Sequence, residues 1–352
     1  MKFAGIIAEY DPFHNGHAWQ LAQAKALGAE RVAVAMSCSL VQRGALPLLP
    51  EAVRTRSALT CGADLVFALP APCACAGAEA FARAGVALLA AAGCDGLVFG
   101  AETPDAALLM EAAELLDSGS YRAALKAQLA GGARSFAAAR QAAAAQLASD
   151  ERVAALLDKP NNNLAVEYCR AIRSLAPRME AYPLPRQGAD HGEALHSAHG
   201  QFASASALRK LWAEGGADAV APYVPEAVFP LYQEAYAAGQ YTDFSAAGRC
   251  ELALLRSACR DKAPFADIRG VSEGLEHRLE AAVRTSTTYD ELLDALTTVR
   301  YPRARMRRLA MDAALGFTAD SLPALPPYLH LLGGQKDALP FLKNCTLPVS
   351  HS

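Results

Sequence analysis

Along the first hundred positions, short apolar runs alternate with segments whose apolar residues recur at helical spacing. Lys2–Glu9 (KFAGIIAE), Arg31–Met36 (RVAVAM), Asp64–Leu69 (DLVFAL) and Gly96–Gly100 (GLVFG) predict buried strands, with Pro70 ending the third. The intervening His17–Leu27, Glu51–Cys61 and Gly77–Ala92 predict helices. Strands alternating with helices predict a parallel sheet covered on both faces, an α/β fold. Ligands bind such sheets beyond the carboxyl ends of the strands, so chemistry is expected after Glu9, Met36 and Phe99.

The pattern then changes. Residues 105–158 are alanine-rich and helical, interrupted at Gly131-Gly132. Leu164–Leu175 predicts a further helix, Glu180–Pro185 a strand, and Arg186–Gly200 a polar loop. Beyond about Trp212 the chain reads as mostly helical, with many arginines and prolines. The expected division is a nucleotide-binding α/β domain over 1–215 and a mainly helical domain over 216–352, a length that accommodates two cores.

His14-Asn15-Gly16-His17 follows the first strand and opens the first helix. Two histidines three apart on a helical turn face the same side. A glycine between them admits a phosphate to the backbone, and a helix N-terminus adds free N–H donors and the positive dipole end. That combination suits a triphosphate whose α-phosphorus is attacked. The chain has no G-x-x-x-x-G-K-[ST] loop, and no G-x-G-x-x-G follows the first strand, which leaves the H-x-G-H grip as the route to ATP.

Two more segments carry candidate chemistry. Ser204 precedes a helical pattern and can cap its amides or reach a phosphate, while Arg209 in the following turn can meet the β- or γ-phosphate. Arg300, Arg303, Arg305, Arg307 and Arg308 crowd nine positions beside Tyr301, a density that suits RNA phosphates and a stacked base. Because the net charge is −3, such a local cluster must make the case for nucleic acid. Nine scattered cysteines show no C-x-x-C pair, so buried reduced thiols are expected in place of a zinc site or disulfide framework. No apolar run is long enough to span a membrane, and the start runs into Glu9 and Asp11 too soon for a signal peptide. A cytoplasmic location is expected.

These segments together resemble the tRNA(Met) cytidine acetate ligases, a bacterial branch of the H-x-G-H nucleotidyltransferase superfamily. The resemblance rests on Glu9–His17, Gln42-Arg43-Gly44, Arg54-Thr55, Gly62-Ala63-Asp64, Phe99-Gly100, Pro160-Asn161-Asn162, Arg186-Gln187-Gly188-Ala189, Ala203–Arg209, Val271–Arg278 and the arginine run. It implies a Rossmann-like nucleotidyltransferase domain followed by a mainly helical tRNA-binding domain. The implied reaction activates acetate with ATP as acetyl-adenylate and passes the acetyl group to the wobble cytidine of elongator tRNA(Met), with magnesium accompanying ATP. His14 and His17 would hold and neutralise the triphosphate. The loop and first helical turn formed by Ile7, Ala8, Glu9, Tyr10, Asp11, Pro12, Phe13, His14, Asn15, Gly16, His17, Ala18, Trp19 and Gln20, with Gly100, Asn161 and Arg186, would cradle the nucleotide. The arginine run would bind tRNA, and no metal ligand set or obligate protein partner is implied. Departures from the family pattern fall at Asp11, Cys38-Ser39, Ala45, Glu51, Asp190–Glu193 and Val299, and the chain reads as short at its C-terminus. Two other functions are compatible with the same residues: an adenylyltransferase acting on a small molecule, and a tRNA-binding relative without catalysis.

Overall fold

The computed structural model describes residues 1–133, 135–186, 195–197, 200–321 and 323–351. Five strands alternate with helices as the hydrophobic pattern predicts. They are β1 (Phe3–Ala8), β2 (Arg31–Ser37), β3 (Leu65–Leu69), β4 (Gly96–Ala101) and β5 (Glu180–Pro185). The intervening helices are α1 (Asn15–Ala26), α2 (Glu51–Thr60), α3 (Ala71–Ala74), α4 (Ala78–Ala91), α5 (Ala106–Asp117), α6 (Gly119–Ala130), α7 (Phe136–Leu147), α8 (Glu151–Leu156) and α9 (Pro160–Leu175). A hairpin, β6 (Leu195–Ser197) and β7 (Gly200–Phe202), follows β5. The remaining helices are α10 (Ala205–Val220), α11 (Phe229–Ala237), α12 (Phe244–Ala258), α13 (Leu275–Thr285), α14 (Tyr289–Leu296) and α15 (Arg303–Leu315), and the chain closes with β8 (Leu329–Gly334) and β9 (Val349–His351).

The main sheet has the order β5-β4-β1-β2-β3-β8-β9. β5 through β3 are parallel, with β1 central, so the ends of β1 and β4 open side by side. One core lies between the sheet and α4, α5 and α9, built on Leu88, Leu89, Leu109, Val166 and Ile172. The opposite core holds Ile6, Leu21, Val34, Leu208, Trp212 and Tyr232. Helices α12 to α15 enclose a core of their own around Leu255, Leu279, Leu292 and Met306.

Helices α10 and α11 bury Leu208, Trp212, Val220 and Tyr232 against the sheet layer, and the Tyr232 hydroxyl donates to the Phe13 carbonyl at 2.7 Å. Helices α12 to α15, from Phe244 to Leu315, form a helical unit around the third core. In the last segment β8 joins β3 antiparallel and extends the sheet, and a 3-10 turn at Leu339–Asn344 leads to β9. The helical unit is fastened to the sheet layer by Arg269, which pairs with Asp312 at 2.5 Å and donates to the carbonyls of Pro72 and Cys75. Of the cysteines, Cys73, Cys75, Cys94 and Cys169 are buried as expected, whereas Cys250 is exposed on α12. All nine are free thiols. No described helix is long and apolar enough to cross a membrane.

Candidate functional site

β1 ends at Ala8, and the chain turns through Tyr10 (φ 49°) and a cis Asp11-Pro12 bond into α1. His14 is the N-cap of α1. Its Nδ1 accepts the Gly16 N–H at 3.0 Å, and His17 Nδ1 accepts the His14 N–H at 3.2 Å. This is a capping box in which imidazoles stand where serine and glutamate usually do. The two rings stack, with centroids 3.8 Å apart and planes at 23°. Gly16 is required by this packing, since a Cβ there would lie 2.9 Å from His14 Cε1.

The hydrogen bonds assign the tautomers. With each Nδ1 accepting, the proton of each neutral ring sits on Nε2. Burial, reinforced by Arg186 and Arg209, pulls the His14 pKa down to about 3. Burial and the neighbouring His14 ring likewise hold His17 well below its ordinary value. Both imidazoles are therefore neutral Nε2–H donors at pH 7. Without nucleotide they offer hydrogen bonds, and positive charge at the cavity comes from Arg186.

Acid should destabilise the fold through these rings. The unfolded chain protonates them near their ordinary pKa of about 6.5, whereas the folded chain resists until about pH 3 at His14, so stability falls as pH drops through that window. The melting temperature is expected to decline from pH 7 to 4.5, and less steeply in a His14→Gln, His17→Gln variant. Equal slopes would contradict the neutral assignment.

The imidazoles face a cavity of about 360 Å³ at the carboxyl ends of β1 and β4. Ile7, Ala8, Glu9, Tyr10, Asp11, His14, Gly16, His17, Trp19, Gln20, Gly100, Asn161, Arg186 and Ser204 all line it. Pro12, Phe13, Asn15, Ala18 and Arg209 do not. Phe13 is fully buried against Tyr10, and Asn15 Nδ2 donates to the carbonyls of Gln201 and Pro222, which fixes the β7 end against α1. Arg209 does not line the cavity; it donates to the Asp11 carbonyl at 2.5 Å and lies 3.3 Å from Oδ2 of the Asp11 carboxylate. Arg43 holds the same carboxylate at 2.7 Å, so Asp11 clamps two arginines beside the cavity. Ser204 caps α10, accepting from Ala207 N at 3.3 Å.

On the opposite wall a relay positions the cation. Glu102 accepts from the Asn161 amide side chain at 2.7 Å and from the backbone N–H groups of Asn161 and Asn162, which caps α9. Asn161 Oδ1 in turn receives Arg186 Nη1 at 2.5 Å. Burial pushes the Glu102 pKa up, but these hydrogen bonds outweigh it and hold it below the usual range. Segment 187–193, within which the family resemblance also falls, lies outside the described residues.

Several residues of the cavity were not identified from sequence. Phe81, Leu164, Tyr168 and Leu184 form an apolar wall, and Gln42 closes another side, its N–H donating to Glu9 at 2.5 Å. The Gln42-Arg43-Gly44 signature was the available signal. Gly44 (φ 75°) lies so close to α15 that a Cβ would stand 2.6 Å from Arg308 N. Among the departures, Cys38, Ser39 and Glu51 line a different cavity, walled by Leu46–Pro50 and Gly239–Thr242. Val299 is 75% exposed.

The arginine run is not one free basic face. Arg303 pairs with Asp290 at 2.7 Å and with Asp294, Arg300 pairs with Glu273 at 2.7 Å, and Arg305 covers the Tyr301 ring at 5.0 Å. Arg308 is turned inward, with Nη1 3.3 Å from the Gln42 carbonyl. Among the described residues, no group of three or more His, Cys, Asp or Glu side chains could hold a metal ion.

A parallel sheet with an H-x-G-H helix N-terminus at its carboxyl edge defines a nucleotidyltransferase, and the model of the HIGH Nucleotidyl Transferase family matches residues 1–349. The tRNA(Met) cytidine acetate ligase of Syntrophotalea carbinolica is 36% identical over 349 residues, covering 97% of this chain and 82% of its own. The crystal structure of Thermotoga maritima TmcAL in its apo form superposes with a TM-score of 0.91 at 29% identity, over 99% of this chain and 86% of that one. The same protein bound with alpha-thio ATP gives 0.89 at 28% identity, over 99% and 85%. The chain belongs to the tRNA(Met) cytidine acetate ligase family of HIGH nucleotidyl transferases.

Proposed function

We propose that this chain is an ATP-dependent acetate ligase that makes N4-acetylcytidine at the wobble position of elongator tRNA(Met) through acetyl-adenylate. The observation that carries the reading is the pair of neutral imidazoles at the N-terminus of α1, opposite Arg186, in a relative of enzymes that carry that name. ATP lies along the carboxyl edge of β1 and β4. Its phosphates face the Nε2–H groups of His14 and His17, the positive dipole end of α1 and Arg186, and its adenosine half lies along Phe81, Leu164, Tyr168 and Leu184. Magnesium arrives with ATP as part of the substrate.

An acetate oxygen attacks the α-phosphorus, forming a P–O bond as the bond to pyrophosphate breaks. No strong base is needed, because acetate is already ionised. The neutral imidazoles suit this step: they donate hydrogen bonds to the developing phosphoryl charge without forming an ion pair with the ground state strong enough to slow it. The cytidine N4 amine then attacks the acyl carbon, AMP leaves with the C–O bond pair, and the amine gives up a proton.

The tRNA is held by the helical unit from α12 to α15. Arg300 and Arg305 are the best placed of the run, since their contacts with Glu273 and Tyr301 lie at or near the surface, where ion pairs are weak and exchange readily for phosphates. Alanine at both positions should weaken tRNA binding and reduce its salt slope; an unchanged slope removes this end of α15 from the interface.

Acetate-dependent exchange of labelled pyrophosphate into ATP tests the first half-reaction. Exchange is expected with acetate and without tRNA. Exchange indifferent to acetate would point to a different adenylylated acid, and no exchange under any condition would favour a tRNA-binding protein without catalysis.

A further inference from the structure

Acyl transfer to a cytidine releases one proton, from the N4 amine that attacks. The imidazoles of the nucleotide cavity are poor acceptors for it. Each Nδ1 already accepts a backbone N–H, from Gly16 at His14 and from His14 at His17, and each Nε2 carries the ring proton. Burial holds both rings in that neutral form. Burial likewise keeps the Tyr10 and Tyr168 phenols protonated. Asp11 is fully engaged. Its Oδ1 accepts from Leu48 N at 2.5 Å, and its Oδ2 faces Arg43 at 2.7 Å and Arg209 at 3.3 Å.

Glu9 differs. It follows β1 directly and lines the cavity together with His14, His17 and Arg186. Its backbone is anchored, because the Glu9 carbonyl accepts from Arg54 Nη1 at 2.8 Å. Its Oε1 accepts the Gln42 N–H at 2.5 Å, which orients the carboxyl. Among the described residues Oε2 has no hydrogen bond or ion pair, so one carboxyl oxygen remains to accept. Burial raises the Glu9 pKa above the usual carboxylate range and Asp11 adds to the rise, against the pull of the Gln42 N–H, Arg43 and Arg209. Tyr168 on α9 and Arg54 on α2 are further ionisable groups within its field. A carboxylate shifted in this direction is a better proton acceptor near neutral pH than an ordinary one.

We propose, on the ligase reading above, that Glu9 is the base of the second half-reaction and takes the N4 proton of the attacking cytidine on Oε2. Cytidine N4 forms a bond to the acetyl carbon. The bond from that carbon to the phosphate oxygen breaks, and AMP leaves with its electron pair. The N4 proton passes to Oε2, and the Glu9 carboxyl returns it to solvent once the products have left. The first half-reaction does not call on this base, since acetate attacks as an anion. One cavity thus divides its work: the imidazoles donate to the phosphates, and Glu9 accepts from the amine.

The test measures the two half-reactions separately in the full wild-type chain and in Glu9→Gln, with melting temperatures alongside. Glutamine keeps a side-chain oxygen for the Gln42 N–H but cannot take up a proton. Acetate-dependent exchange of labelled pyrophosphate into ATP reads the first step. Transfer of labelled acetyl from adenylate formed in advance to a tRNA(Met) transcript, in a single turnover, reads the second. Glu9→Gln is expected to slow transfer by about 10²-fold or more and exchange by less than about tenfold. Equal losses in the two steps, or transfer at the wild-type rate, overturn the proposal. Should the variant not fold, the wild-type pH profile of transfer decides. Its rate should rise with pH through an ionisation above the usual carboxylate range, as Glu9 loses its proton. A rate constant from about pH 5 to 9 overturns the assignment. Absence of exchange in the wild type would defeat the ligase reading, and the role of Glu9 with it.

Discussion

Replacing His17 by asparagine is expected to lower ATP-dependent turnover by about 10²–10³-fold while leaving thermal stability close to wild type. His17 has two separable duties. Its Nδ1 accepts the His14 N–H at 3.2 Å and so closes the cap of α1. Its Nε2–H is one of the two imidazole donors offered to the phosphates. Asparagine reproduces the acceptor at the position of Nδ1 but has nothing at the position of Nε2. His17→Ala removes both, and should add a stability loss of about 1 kcal/mol, the ordinary cost of a lost cap. In neither variant should tRNA affinity change, since the arginines of α15 are untouched. Near-normal turnover in His17→Asn would show that the Nε2 donor is not used.

The second large effect concerns stability. Arg54 has no exposed surface, yet carries a full guanidinium. Its Nε donates to the Leu49 carbonyl at 3.0 Å, Nη1 to those of Glu9 at 2.8 Å and Ser37 at 2.6 Å, and Nη2 to that of Cys38. One side chain therefore gathers the ends of β1 and β2 and the start of α2, the edge on which the nucleotide cavity is built. Arg54→Met fills a similar volume but strands four buried carbonyls, which should cost roughly 3–5 kcal/mol. The melting temperature should fall by roughly 5 °C, and ATP affinity should fall with it as Glu9 loses its anchor. Arg54→Lys should recover only part of the loss, because a single ammonium cannot span the fork. A methionine variant that melts within about 2 °C of wild type would show that these carbonyls are satisfied in another way.

Legibility in the sequence followed the range of the interactions involved. Strands β1 to β5 and the H-x-G-H turn are local: apolar runs, Pro70 and the Gly16 close approach are encoded within a few residues. Strand β8 pairs with β3 across most of the chain, and nothing in its own residues says which edge it will meet. For the same reason α10 and α11 read as the opening of a helical domain, although their apolar faces close the second core of the sheet. Charge is legible as a count but not as a partnership. The arginine run looked uniform until Asp290, Asp294 and Glu273, all on preceding elements, occupied Arg303 and Arg300. The histidines were found by spacing, but their neutrality comes from burial and from Arg186, which arrives from β5.

Incorporation of labelled acetate into tRNA(Met) by the purified chain, followed by nucleoside analysis, tests the central claim most directly. The expected result is label in N4-acetylcytidine at the wobble position, dependent on ATP and matched by AMP and pyrophosphate. ATP consumption with acetate but without label in cytidine, or label that appears without ATP, would contradict it.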